Sequence, residues 1–265
     1  MKKILTIAGF DPSGGAGVLR DAAVCSSFQL ECLGVLTCNT IQNETSFESI
    51  HWFSMEQIGK QIEILREEDI QVVKIGLTKD IEMIHSILDK VKPLFPKAKI
   101  ILDPILRTSS GFAMEHDRMQ WKGILVKVDV FTPNWIEMQT LSGEKDIEEM
   151  AKEWSKETTI CLKGGHSSHP EKDLIFVNGE KIEIIGREEK LVSRHGSGCV
   201  YSTSFACALA MGSDSDRYHT YLEAARVAKD RTEEYLICGY DSSEELPKHS
   251  PLQSSLKMTK SLYTE

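Results

Sequence analysis

Five consecutive residues, His195-Gly196-Ser197-Gly198-Cys199, combine a place for an anion with a candidate proton acceptor. Two glycines beside a serine let successive backbone N–H groups point inward and form a concave anion site. An apolar helix is expected to follow from Val200 to Gly212. Its unpaired N-terminal N–H groups add donors and a partial positive charge, which suits a phosphate. Cys199 falls in the first turn of that helix, where a thiol is expected to have a lowered pKa and some thiolate character. Anion hole and base within one helical turn is what a phosphoryl-transfer site requires. The plainer reading of the same residues is a packed cysteine behind a glycine-rich loop.

Other polar residues recur just past the expected strands. Asp11 follows Lys3–Gly9, Asn39 and Gln42 follow Leu33–Cys38, and Asp103 follows Ile100–Leu102. Asn134 and Glu137 follow Val128–Phe131, and Lys163 follows Thr159–Leu162. In an open parallel sheet, ligands bind beyond the carboxyl ends of the strands. Asn134 with Glu137 three residues on also fits an N-cap with a capping box, so capping and ligand binding both stay open for that pair. Gly14, Gly15 and Gly17 do not fit GxGxxG, and no GxxxxGK[ST] stretch exists. A cysteine hydrolase built on Cys199 lacks a nucleophile elbow.

The elements that must carry these residues alternate. Apolar runs over Lys3–Gly9, Leu33–Cys38, Val72–Leu77, Ile100–Leu102, Val128–Phe131 and Thr159–Leu162 read as strands. Helical spacing marks Val18 to Leu30, Met55–Glu68 and Ile81 to Val91. Such alternation predicts an α/β fold with a doubly wound, mainly parallel sheet flanked by helices. One passage differs: Asp173–Val177 and Lys181–Ile185 flank Asn178-Gly179, a two-residue hairpin signal expected at a sheet edge. A charged helix is expected within Asp214–Ser250, turning into a polar tail from about residue 241. No linker divides the 265 residues, so one domain is expected over 1–265.

Composition narrows the partners. Lys and Arg total 31 against 40 Asp and Glu, a net charge of −9, without a clustered basic tail. That argues against nucleic acid and anionic membranes. No run of about 18 apolar residues could span a bilayer. The start, MKKILTIAGFDPSGG, breaks too early for a signal-peptide core and reads as a first strand. Seven scattered cysteines without a CxxC pair indicate neither a disulfide framework nor a zinc site, and a cytoplasmic location is expected.

Taken together, the stretches LTIAGFDPSGGAG with Asp21 shortly after, TCNTIQNE, VVKIGL, LDPI with Gly111 downstream, FTPNWIEMQTLSG, LKGGH and HGSGC have a recognisable order. From Ile4 to about Leu236 the chain resembles the hydroxymethylpyrimidine and phosphomethylpyrimidine kinases of thiamin biosynthesis, within the ribokinase-like superfamily. The resemblance implies ATP with Mg²⁺ as donor and 4-amino-5-hydroxymethyl-2-methylpyrimidine as acceptor, with the phosphomethyl form as a further acceptor and a homodimer as the assembly. It implies an acceptor pocket at Gly9, Ala16, Asp21, Gln42, Leu77 and Arg107, and a nucleotide site at Asp103, Asn134, Lys163 and Gly198. Glu137 would serve Mg²⁺ directly or through water. Gly196, Ser197 and Gly198 would hold the transferring group, and Cys199 would take the hydroxyl proton. An amide and a carboxylate suit a ring that presents a donor beside an acceptor.

Departures from the family cluster on the acceptor side. Where Asp-Pro-Val-Met-Val-Ala-Lys-Ser-Gly is usual, this chain has Asp103-Pro104-Ile105-Leu106-Arg107-Thr108-Ser109-Ser110-Gly111. The lysine is gone and an arginine stands where a small apolar residue is usual. Phe10 replaces a serine, Leu77 a methionine, and a late Gly-His-Gly-Pro stretch is missing. The competing functions are a pyridoxal or pyridoxine kinase of the same superfamily and a ligand-binding relative without turnover.

Overall fold

The computed structural model describes residues 1–265 except 44–45, 108–113, 115–117, 144, 166, 188–191, 193, 213–216 and 239–265. Its centre is a nine-stranded sheet in the order β3-β2-β1-β4-β5-β6-β7-β8-β9. The strands are β1 (Lys3–Phe10), β2 (Glu31–Gln42), β3 (Phe47–Trp52), β4 (Ile70–Ile75), β5 (Lys99–Leu102), β6 (Val130–Phe131), β7 (Thr159–Leu162), β8 (Lys172–Val177) and β9 (Glu180–Ile185). The helices are α1 (Gly17–Ser27), α2 (Met55–Glu63), α3 (Ile81–Leu94), α4 (Arg118–Leu125), α5 (Trp135–Ser142), α6 (Ile147–Trp154), α7 (Ser197–Met211) and α8 (Arg217–Cys238).

Each central strand is buried on both faces, which is why it reads as a continuous apolar run. Successive side chains go to opposite cores. Leu5, Val73, Ile100 and Phe131 join α2, α3, α4 and α6 in one core. Their neighbours Ile4, Val72, Ile101 and Val130 join α1, α7 and α8 in the other. β1 pairs in parallel with both β2 and β4, so the order reverses at β1. The crevice past the ends of β1 and β4 is therefore where such a fold binds ligands.

The hairpin at Asn178-Gly179 is present, with φ of 52° and 85° at the two turn residues, and β9 forms an edge. Positive φ at both positions matches the twist of flanking strands. Three differences from the sequence reading stand out. The antiparallel part is larger, because β7–β8 is antiparallel and a second antiparallel strand, β3, forms the opposite edge. Its run Phe-Glu-Ser-Ile-His-Trp is half polar and half buried, so no apolar alternation announced it. α2 ends at Glu63 rather than Glu68: Ile64 is 81% exposed, and tight turns from Ile62 onward replace the helix. The expected polar tail and Gly111 lie outside the described residues.

Candidate active site

Most of the polar strand ends converge on one cavity of about 710 Å³ beside the reversal point. Gly9 lines it from the end of β1, Ala16 from the loop that follows, Gln42 from the end of β2, and Leu77 from the segment after β4. Asp103 and Arg107 line it after β5, Asn134 and Glu137 at the start of α5, and Lys163 after β7. Gly196, Ser197, Gly198 and Cys199 line it where α7 begins. Phe47 and Ile50 add a wall from β3, unseen in the sequence reading, and Arg194 and His195 complete the rim beside the turn.

The loop after β1 is organised by one carboxylate. Asp11 Oδ1 accepts from the Ser13 N–H at 3.0 Å and from Ser13 Oγ at 2.8 Å, and Oδ2 accepts from the Ala16 N–H at 3.0 Å. Burial pushes the Asp11 carboxyl up, but the bonds from Ser13 and His195 outweigh it and hold it below its ordinary range. The turn before α7 packs against this loop. Gly196 has φ 85°, and a Cβ there would stand 1.8 Å from the Gly15 carbonyl oxygen. Gly17 has φ 62°, with a Cβ 2.1 Å from the Gly9 carbonyl oxygen. Only glycine fits either place.

A second group sits across the cavity. Lys163 Nζ donates to Asp103 Oδ1 at 2.9 Å, and Ser202 Oγ donates to Asp103 Oδ2 at 3.0 Å. Asn134 Oδ1 accepts from the Glu137 N–H at 2.9 Å while Glu137 Oε2 accepts from the Asn134 N–H at 2.7 Å. The capping box is thus real, and both residues line the cavity all the same. Burial raises the Glu137 carboxyl to about 7; Lys163 works against that shift, and Asp103 adds to it. A buried carboxylate facing a second one would gain from a cation.

Two sequence expectations need correction. Asp21 does not line the cavity. It lies fully buried behind it, where Lys74 Nζ, also fully buried, approaches Asp21 Oδ2 at 2.9 Å. Lys74 was missed, although a lone lysine inside the apolar run Val72 to Leu77 was a signal. The Cys199 thiol is not depressed: burial pushes it up, with Lys74 acting against that and Asp21 and Asp103 adding to it. The helix N-terminus is outweighed by loss of water around the sulfur.

The family profile described as phosphomethylpyrimidine kinase matches residues 11–241. The chain belongs to this family. It is 27% identical over 228 residues to the hydroxymethylpyrimidine/phosphomethylpyrimidine kinase of Haemophilus influenzae, covering 80% of this chain and 84% of that one. It is 29% identical over 243 residues to the thiamine biosynthetic bifunctional enzyme of Arabidopsis thaliana, covering 86% of this chain but 45% of that one. The chain therefore spans less than half of some relatives it matches. Its fold overlays on a Staphylococcus aureus pyridoxal kinase solved with pyridoxal, with TM-score 0.76, 22% identity, and coverage of 92% of this chain and 90% of that one. The phosphomethylpyrimidine kinase of Clostridium difficile 630 gives TM-score 0.69 at 24% identity, covering 89% of this chain and 98% of that one. Among the described residues, no helix is long and apolar enough to cross a membrane.

Proposed function

We propose that the chain is an ATP-dependent kinase that phosphorylates the hydroxymethyl group of 4-amino-5-hydroxymethyl-2-methylpyrimidine. The observation that carries the reading is a single cavity lined both by Gln42 and by the Gly196–Gly198 turn, Cys199 and Lys163. Family membership and the kinases named above support it. In this reading Gln42 hydrogen-bonds the ring, and Gly9 and Ala16 leave room for its flat face. The N–H groups of the turn hold the transferring phosphoryl group, and Lys163 offsets its charge. Positioning and charge stabilisation do most of the work in such a transfer.

Mg²⁺ is the proposed ion, with Glu137 as its protein partner. Mg²⁺ is usually held by one or two carboxylates together with phosphates and waters, and the raised, buried Glu137 carboxyl fits that demand. When bound, the ion would neutralise charge on the nucleotide phosphates. A homodimer is proposed from the resemblance alone, and a cytoplasmic location from cysteine usage; sedimentation and fractionation test them.

Pyridoxal is the second candidate acceptor. Arg107 lines the cavity and is foreign to the family's usual pyrimidine pocket, and pyridoxal kinases share the fold. The deciding experiment is phosphate transfer from ATP to a panel of the pyrimidine alcohol, its monophosphate, pyridoxal and pyridoxine. Transfer to the pyrimidine alone upholds the first reading, and transfer to pyridoxal alone replaces it. Binding without transfer indicates a ligand-binding relative.

A further inference from the structure

Beneath the cavity floor lies a sealed ion pair that the fold alone does not require. Lys74 occupies a position in β4 whose neighbours Val72, Val73 and Ile75 are apolar, and neither it nor Asp21 is exposed. Lys74 Nζ donates to Asp21 Oδ2 at 2.9 Å and to Oδ1 at 3.1 Å. The same carboxylate accepts from Thr203 Oγ1 at 2.7 Å and from Thr6 Oγ1. Apolar residues of similar volume often serve stability as well as or better than a buried pair, so its presence calls for another reason.

Its location supplies one. Thr203 follows Cys199 by four residues on α7, so the two side chains share a helix face. The face that reaches Asp21 thus carries the thiol one turn closer to the cavity. Gly76 leaves room above the ammonium: a Cβ there would stand 3.0 Å from Lys74 Nζ and 3.3 Å from the Cβ of Ala8, which lines the cavity. Among the described residues, the hydrogen bonds of Lys74 Nζ are the two to Asp21, which leaves one of its three N–H bonds over.

We propose that Lys74 is a positioning residue for Cys199: its buried ammonium favours the thiolate that takes the proton of the acceptor hydroxyl, and Asp21 limits that effect. The proposal rests on the kinase reading. In the transfer step a sulfur lone pair of the thiolate takes the hydroxyl proton. The freed oxygen bonds to the γ-phosphorus, the bond from that phosphorus to the bridging oxygen breaks, and ADP leaves with the electron pair. The thiol returns its proton to water after the products depart.

The charges around the thiol set the balance. Lys74 from β4 and the Gly17 N–H at the start of α1 favour the thiolate; Asp21 from α1 and Asp103 after β5 oppose it. Lys163 after β7 also feels the thiol, but it is engaged by Asp103 at 2.9 Å and opens on the cavity, where a nucleotide would claim it. Lys74 is sealed, so neither solvent nor a bound phosphate screens it.

The test is the pH dependence of Cys199 alkylation by iodoacetamide in the ligand-free full chain, read by peptide mass spectrometry. Lys74→Met should move the midpoint up by about one pH unit, a roughly tenfold slower reaction at fixed pH below it. Asp21→Asn should move it down, and Lys74→Arg should restore it. The acid limb of kcat should follow while the KM for ATP changes little. Should Lys74→Met fail to fold, the double variant Lys74→Met/Asp21→Asn leaves no unpaired charge and should still shift upward. An unmoved midpoint in a folded variant, or single variants that shift the same way, overturns the proposal. Alkylation needs no substrate, so shifted midpoints in a chain that phosphorylates none of the panel would uphold the Lys74–thiol coupling and remove only the kinase reading.

Discussion

Asp11 Oδ2 and His195 Nε2 stand 2.9 Å apart across 184 residues of sequence. The contact ties the loop after β1 to the turn that opens α7. Tyr235 Oη clamps the same turn from α8 by donating to the His195 carbonyl oxygen at 2.7 Å. The anion cradle is thus held by groups outside itself, and its N–H groups need not reorganise when a phosphate arrives.

His195→Ala should therefore weaken nucleotide use while Gln42-dependent acceptor affinity persists. A charge-assisted hydrogen bond is worth roughly 1.5–3 kcal/mol, so kcat/KM for ATP should fall by about one to two decades. The Asp11 carboxyl is depressed in the folded protein, so its contribution to stability is present above its ordinary value of 3.8 and is lost as pH falls through the lower folded value. Melting curves from pH 2 to 6 should show a shallower acid decline for Asp11→Asn.

Glu137 has the opposite sign. Its folded pKa of about 7 exceeds the ordinary 4.5, so the folded chain binds the extra proton between those values. Its stabilising effect is full below 4.5 and disappears as pH rises through about 7. Glu137→Gln keeps an acceptor for the Asn134 N–H and should flatten that decline in the ligand-free protein. The same variant should lose turnover that added Mg²⁺ partly restores. Lost stability without any Mg²⁺ dependence would leave Glu137 as a cap alone.

Gln42→Ala should raise the KM for the alcohol far more than that for ATP. Loss of one hydrogen-bond partner in a dry pocket costs roughly 1–3 kcal/mol, or one to two decades. Steady-state kinetics with each substrate varied in turn checks it; equal losses would remove Gln42 from the acceptor pocket.

Cys199→Ala should leave nucleotide binding near normal and slow turnover about 10²–10⁴-fold, the usual contribution of a general base. Cys199→Asp should recover part of the loss. An alanine variant with full kcat and a lowered melting temperature would make the cysteine a packing residue.

Gly196→Ala combines a left-handed backbone with a Cβ 1.8 Å from the Gly15 carbonyl oxygen. The backbone conformation alone costs of order 1–3 kcal/mol for a residue with a side chain. Calorimetry should show a lower melting temperature, and phosphate transfer should be largely abolished.

Local signals carried much of this architecture. The strand Thr159–Leu162 and the Asn178-Gly179 turn declare themselves in their own few residues, and the structure has both. Gln42 and Lys163 were found because strand ends gather on one side of a parallel sheet. Apart from the early end of α2 at Glu63, the misreadings are long-range. Asp21, which the resemblance assigns to the acceptor pocket, is instead held by a partner 53 residues away. The Cys199 thiol was judged by its place on a helix, whereas the deciding influence is burial by elements distant in sequence. β3 forms because the edge of β2 that faces away from β1 is open to it, which no periodicity within Phe47–Trp52 reveals.

That edge hairpin divides the labour of the cavity. Gln42, Phe47 and Ile50 reach it from β2 and β3, whereas Asp103, Lys163 and Cys199 belong to the central strand ends and α7. Free-energy effects of substitutions in the two groups should then be close to additive wherever the side chains share no partner. Part of acceptor choice becomes a separately inheritable trait: changes at one sheet margin can retune the fit of a flat alcohol, with Leu77 and Arg107 after the central strands setting the rest, while the apparatus that moves phosphate stays as it is.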